Sequence, residues 1–477
     1  MLFDTTLFVW FLLIVFFGFW LMVRYPVARV VWLLGASYVF YASWNPSLLL
    51  LILFSTALDY HAGRGIYRAT RMEQRRAWLA LSLVGNLGLL AVFKYADFVL
   101  ESVNRVAAAA GAGGSIPLLD LVLPVGISFY TFQTLSYTLD IYRGRLKAVD
   151  NPLHFALFVA FFPQLVAGPI VRAADFLPQL LREPRYDARQ HGVGLFLIAG
   201  GLIKKVAIAN VLAVNLVDRV FDSPELYSSL EVLAAMHGYA LQIYCDFSGY
   251  SDVAIGVALL LGFRLPENFR RPYMSANLAD FWRRWHISLS SWLRDYLYVP
   301  LGGNRGTELG TYRNLFLTML LGGLWHGASW TFVVWGALHG GALAVLRLWQ
   351  RLEERAVRAV PRRPPSGWWV ALSTLVTFEF VNLCWVFFRA PDFGTAFRVL
   401  GRLAEGSTYT PNLGWVVVSA LLGGALLHVT PVRWKHWLSD RFVAQPAWVQ
   451  ATVMVAVAVW LQHVKGTDVV PFIYFQF

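Results

Sequence analysis

His326 lies near the centre of the apolar run 314–346, in LFLTMLLGGLWHGASWTFVVWGALHGG, with Trp325, Gly327, Ser329 and Trp330 beside it. An ionisable side chain at such depth is costly and by default marks a working site. The competing reading is a structural histidine hydrogen-bonded to a neighbouring helix. An imidazole titrates near pH 6.5. Burial keeps it neutral and ready to take a proton from a hydroxyl, which is general-base chemistry. His286 stands upstream, at the start of ISLSSW, and His339 lies toward the next basic loop and reads as structural. No two of the ten histidines are three to five residues apart, so zinc-ligand spacing is absent. HExxH, GxSxG and P-loop patterns are missing too, which excludes metalloprotease, serine hydrolase and ATP-driven pump as first readings.

Two polar groups accompany these histidines. The run from Tyr244 to Asp252 holds Asp246 and Asp252, which need partners, and the arginines of 264–313 are nearest in sequence. Either an ion-pair network fixes helix packing there or the carboxylates support a binding site. Lys204 and Lys205 interrupt another apolar run and read as snorkelling interface markers. Segment 264–313 is mixed polar, basic and aromatic. Leu278, Phe281, Trp282, Trp285, Leu289, Trp292 and Leu293 recur at three- and four-residue steps and predict one helix face over 278–298, with Arg283, Arg284 and Arg294 largely off it. Such a helix lies in the membrane interface. Its arginines could equally hold the phosphates of an anionic cofactor.

The elements that position these residues follow from composition. The 477 residues are 57% apolar and only 14% charged, with a net charge of +12. A soluble domain carries about 25% charged residues, so the chain reads as a polytopic membrane protein. Its positive charge belongs to cytoplasmic loops and not to nucleic acid binding. Cys245 and Cys384 suggest neither a disulfide framework nor a thiolate metal site. Candidate spans fall at 6–23, 30–44, 46–60, 78–95, 119–142, 153–171, 192–216, 230–262, 314–346, 369–388, 413–429 and 448–464, predicting about 11 crossings. Pro163 and Gly168-Pro169 break 153–171 into half-helices or a re-entrant loop, and 314–346 is long enough to go in and come back. The first apolar run reads as a retained span and not a signal peptide. Arg64, Arg68, Arg71, Arg75 and Arg76, and the arginines of loop 347–363, are expected at the cytoplasmic face, which puts the N-terminus outside. Loop 104–118 suits the external side. A single integral-membrane domain, 1–477, is expected, with 264–313 as its cytoplasmic-side interfacial or catalytic segment.

The runs FWRRWHISLSSWLRDYLYVPLGGNR and GGLWHGASWTFVVWGALHG resemble the membrane-bound O-acyltransferase family, in its bacterial polysaccharide O-acetyltransferase branch. YASWNPSLLLL, PVGISFYTFQTLSYTLDIYRG, FFPQLVAGPIVRAADFLPQL, GLIKKVAIAN, QIYCDFSGYSDVAIG, FRLPENFRRPY and PFIYFQF extend the likeness over nearly the full length. The resemblance implies an all-α membrane fold with tilted spans around a central tunnel. It also implies His326 as active-site histidine and His286 as the second, which orients His326 or stabilises the oxyanion. Acetyl-CoA is the implied acyl donor, with no permanently bound cofactor and no metal. Arg270, Arg271, Arg283 and Arg284 are candidates for its phosphates, and Trp325, Ser329, Asp246 and Asp252 for supporting roles. The implied setting is a bacterial inner membrane, where an extracytoplasmic esterase-like partner passes the acetyl group to a polysaccharide such as alginate. A covalent acetyl-histidine and direct transfer both stay open. The related D-alanyl transferases of teichoic acids, which use a carrier-protein thioester, are the alternative. A secondary transporter is a further one, although inverted repeats are not visible.

Overall fold

The computed structural model describes residues 1–111, 113–356, 366–464 and 471–473. Arg358, Arg362 and Arg363 of the basic loop, and the last four residues of PFIYFQF, lie outside the described residues. Every regular element among the described residues is helical. Six helices are long and apolar enough to cross a membrane: Met72–Ala109, Ala188–Asp222, Ser229–Leu260, Trp330–Arg355, Gly367–Arg389 and Ala447–Val464. The pair Trp415–Val429 and Val432–Val443, bent by 95°, makes a seventh if counted as one span. The chain is therefore a multi-pass membrane protein. This count is below the expected 11 because several apolar stretches fold into shorter pieces. Stretch 119–142 yields only Ile127–Tyr142, and Thr6–Leu21 and Pro26–Ala42 have 16 and 17 residues.

The chain forms two compact units, Met1–Gly194 with Ala254–Pro266, and Leu195–Val253 with Glu267–Phe477. In the first unit, Leu49–Arg68, Met72–Leu90 and Ile127–Tyr142 pack together around a buried polar knot. Asp59 accepts from Ser82 at 2.5 Å and from Asn86 Nδ2 at 2.7 Å, and Ser55 donates to Asn86 Oδ1 at 2.7 Å. Each polar atom named here has a partner, as apolar surroundings require. Stretch 153–171 is broken as its prolines predict, into Pro152–Ala160 and Phe162–Leu165.

In the second unit, Glu308–His326 and Trp330–Ala356 form a tight antiparallel hairpin that turns at 327–329. Small residues set its spacing. A Cβ on Gly336 would stand 2.5 Å from the Met319 carbonyl oxygen, and one on Gly323 would meet the Phe332 carbonyl. The apolar run 314–346 thus goes in and comes back, and it carries His326 to the tip of the first arm.

Segment 278–298 departs from the single amphipathic helix that its periodicity predicts. It forms Leu278–Arg284, Ile287–Leu293 and a π turn over Arg294–Tyr298, and it breaks at His286. The cause is competition for backbone hydrogen bonds. Arg270 N–H bonds the Arg284 carbonyl at 2.9 Å and Ile287 N–H bonds the Asn268 carbonyl at 3.0 Å, so the incoming 268–270 strand of chain takes what helix turns would use. Phe281, Trp285 and Leu289 are buried in protein. The stripe therefore packs inward against protein.

Candidate active site

His286 caps the Ile287–Leu293 helix in the left-handed region, at φ 43° and ψ 56°. A residue with a Cβ adopts this conformation only when its surroundings impose it, and such sites cluster where function needs them. The side chain is fully buried, between the edges or faces of Phe247 at 4.6 Å, Phe269 at 6.4 Å and Trp325 at 6.0 Å. Burial holds its imidazole well below the ordinary value, at about 3, so the ring is neutral at physiological pH. Asn268 was not legible from sequence as a site residue. It is buried, and its side-chain oxygen receives His286 Nδ1 at 3.2 Å, Ser288 N–H at 3.2 Å and the Ser288 hydroxyl at 2.9 Å. Its only sequence signal is a polar amide within PENFRRPY, between charged and aromatic neighbours.

His326 ends the Glu308–His326 helix and is 3% exposed. Three indole or phenyl rings meet it edge-on: Trp325 at 4.9 Å, Trp335 at 5.1 Å and Phe388 at 5.3 Å. Trp335 comes from the returning arm of the hairpin and Phe388 from Gly367–Arg389. Trp325 touches both histidines, so one indole joins His286 and His326 in a single aromatic cluster. The hydroxyl of Ser329 accepts Thr331 N–H at 3.3 Å and lies 3.1 Å from the Thr331 hydroxyl, which makes it the cap of the next helix. His339 is buried among Phe281, Trp282, Trp335 and Phe380, as a structural residue would be.

The two carboxylates find partners other than the expected arginines. Lys204 pairs with Asp252 and Lys205 with Asp246, each at 2.7 Å, and Lys435 approaches Asp252 at 3.6 Å. The reason is a close helix crossing. A Cβ on Gly201 would stand 2.5 Å from the Gly249 carbonyl and one on Gly249 2.7 Å from that of Gly201. This approach brings the π turn Ile203–Asn210 against Ser229–Leu260. Lys204 and Lys205 are therefore held inside the protein and are not interface markers. Asp246 also accepts the Ile473 N–H at 2.7 Å, and Phe472 packs on Phe247 at 5.7 Å. Phe472 and Ile473 thus reach the helix whose Phe247 borders His286.

The four arginines do not share a single partner. Arg270 pairs with Glu267 at 2.5 Å and Arg284 with Asp280 at 2.8 Å, while Arg283 reaches Asp280 only at 3.8 Å and is 72% exposed. Arg271 donates to the His428 and Val429 carbonyls at 3.1 and 2.6 Å, closing the C-terminal end of Trp415–Val429. Among the described residues, no group of three or more His, Cys, Asp or Glu could hold a metal ion.

Fold and site together define an all-helical membrane protein with two buried imidazoles packed against one indole. Proton transfer to and from a substrate group is the chemistry such a pair supports. Residues 146–387, which include both histidines, match the MBOAT, membrane-bound O-acyltransferase family, and the chain belongs to it. It is an acyltransferase. It is 45% identical over 421 residues to a probable alginate O-acetylase AlgI of Pseudomonas aeruginosa, covering 86% of this chain and 76% of that one. A peptidoglycan O-acetyltransferase of Helicobacter pylori is 40% identical over 430 residues, covering 84% and 79%. A teichoic acid D-alanyltransferase of Bacillus subtilis is 30% identical over 291 residues, covering 58% and 71%.

Proposed function

We propose that this protein takes an acetyl group from cytoplasmic acetyl-CoA and passes it across a bacterial inner membrane. The acetyl group then serves O-acetylation of an extracytoplasmic polysaccharide such as alginate, through an esterase-like partner. The N-terminus faces outside in this reading, and a path through the protein links the two faces. The carrying observation is that His286 and His326 both pack against one buried indole, that of Trp325. Acetyl-CoA bears several phosphate charges and does not cross a bilayer, so donor and polymer meet only through such a path.

His326 acts as general base. As the acceptor oxygen bonds to the thioester carbonyl carbon, His326 takes the hydroxyl proton. The tetrahedral intermediate then expels the CoA thiolate by C–S cleavage, and the proton passes from the imidazolium to that thiolate. Base catalysis of this kind contributes about 10²–10⁴-fold. Trp325 packs against both imidazoles, and Ser329, Asp246 and Asp252 act through the helices they fix. Of the arginines, Arg283 is the freest to meet a CoA phosphate, with Arg270 and Arg284 beside it, and Arg271 is committed to the helix end.

The likeness to a D-alanyltransferase keeps a carrier-protein donor as the competing reading. Purified protein in nanodiscs, given labelled acetyl-CoA or a D-alanyl carrier-protein thioester, separates them. Release of CoA with label on water or an added partner supports the proposal. Turnover of the carrier-protein thioester alone overturns it.

A further inference from the structure

Asn268 places three donors around one amide oxygen, and one of them settles its chemistry. The Ser288 backbone N–H can only donate, and it points at Oδ1 at 3.2 Å. The atom there is therefore the oxygen of the amide and not its NH2 group. The other end agrees, since Nδ2 donates to the Ser251 hydroxyl at 3.4 Å. An amide oxygen cannot donate, so the His286 Nδ1 that lies 3.2 Å away must carry the hydrogen. In a neutral imidazole the other nitrogen, Nε2, then holds a lone pair and no proton.

Three features make this arrangement hard to reverse. Asn268 is 1% exposed and His286 is fully buried, so water does not compete. The Asn268 backbone carbonyl receives Ile287 N–H at 3.0 Å, which ties residue 268 to the turn that carries His286. The left-handed backbone at His286 fixes the direction in which its ring leaves the chain.

We propose that Asn268 is a positioning residue that locks His286 in the Nδ1–H tautomer, so that its Nε2 meets the reacting groups as an acceptor. This rests on the assignment of His286 to the active site and excludes one of its two expected roles, oxyanion donation from Nε2. A neutral ring in this tautomer accepts a proton or an N–H at Nε2. It does not donate to an oxyanion there. An asparagine that orients a catalytic imidazole is a solution found elsewhere in acyl transfer.

Two measurements test this in the full-length protein in nanodiscs. The first is the 15N spectrum of ring-labelled histidine at neutral pH, with the His286 signals assigned by their loss in His286→Ala. The expected result is a protonated Nδ1 and a bare Nε2; a protonated Nε2 overturns the proposal. The second is kinetic. Asn268→Asp keeps an acceptor oxygen and should retain kcat within about tenfold, while Asn268→Leu should lose about 10²–10⁴-fold in kcat. KM for acetyl-CoA should stay within about threefold in both. Wild-type kcat in folded Asn268→Leu, or an equal collapse of Asn268→Asp, overturns the proposal. If Asn268→Leu does not fold, the spectrum and Asn268→Asp decide. Full activity in His286→Ala sinks the site assignment itself, which is a different failure.

Discussion

A histidine at φ 43° carries backbone strain of about 1–3 kcal/mol that its surroundings must offset. Replacing His286 with Gly removes both strain and imidazole, whereas Ala removes only the imidazole. His286→Gly should therefore be inactive yet more stable than His286→Ala by about 1 kcal/mol; a lower melting temperature for the Gly variant contradicts the strained turn. The ring also couples stability to pH. Its folded value lies at about 3 and its unfolded value near 6.5. Between those limits only the unfolded state binds the proton. The stability from this group is complete above about pH 6.5 and falls as pH drops toward 3, by about 1.4 kcal/mol per pH unit. Wild type should lose more melting temperature than His286→Gln between pH 7.5 and 5.5, and parallel losses would refute this coupling. The arginines divide by the same reasoning. Arg283→Gln should raise KM for acetyl-CoA several-fold without changing melting, whereas Arg271→Gln should lower the melting temperature because it strips a helix end. The reverse pattern would exchange their roles.

At the scale of elements, the hairpin that carries His326 depends on backbones in near contact. Gly336→Val must push the Met319 turn away and displace the tip of the arm. It should abolish transfer and destabilise the fold by about 1–3 kcal/mol or more, the usual cost of overpacking with its backbone shifts. Retained activity would show that hairpin spacing does not position His326. The lysine–carboxylate pairs brace the other crossing. Breaking a buried pair from one side costs about 3–5 kcal/mol, while removing both members often costs little. Lys204→Met should therefore destabilise more than Lys204→Met combined with Asp252→Leu, and additive losses in the double variant would argue against a buried pair. The sequence made the spans and broken stretches readable because apolar length and proline act locally. It misread 278–298 as one helix because periodicity cannot register a distant strand of chain that takes backbone hydrogen bonds at 284 and 287. It paired Asp246 and Asp252 with arginines because nearness in sequence ignores the Gly201–Gly249 crossing.

For the whole molecule, composition alone sufficed to place the chain in a membrane, and the two histidines stood out because their cost there is general. Asn268 did not stand out, since a satisfied buried amide looks like any loop polar residue until its three donors are seen together. The proposed reaction depends on both His286 and His326. The most direct measurement is the rate of label transfer from acetyl-CoA by wild type and by His326→Gln, in nanodiscs and with melting curves matched. The expected result is an unchanged fold and a loss of about 10²–10⁴-fold. A His326→Gln protein that transfers label at the wild-type rate would contradict the assignment of His326 as the catalytic base.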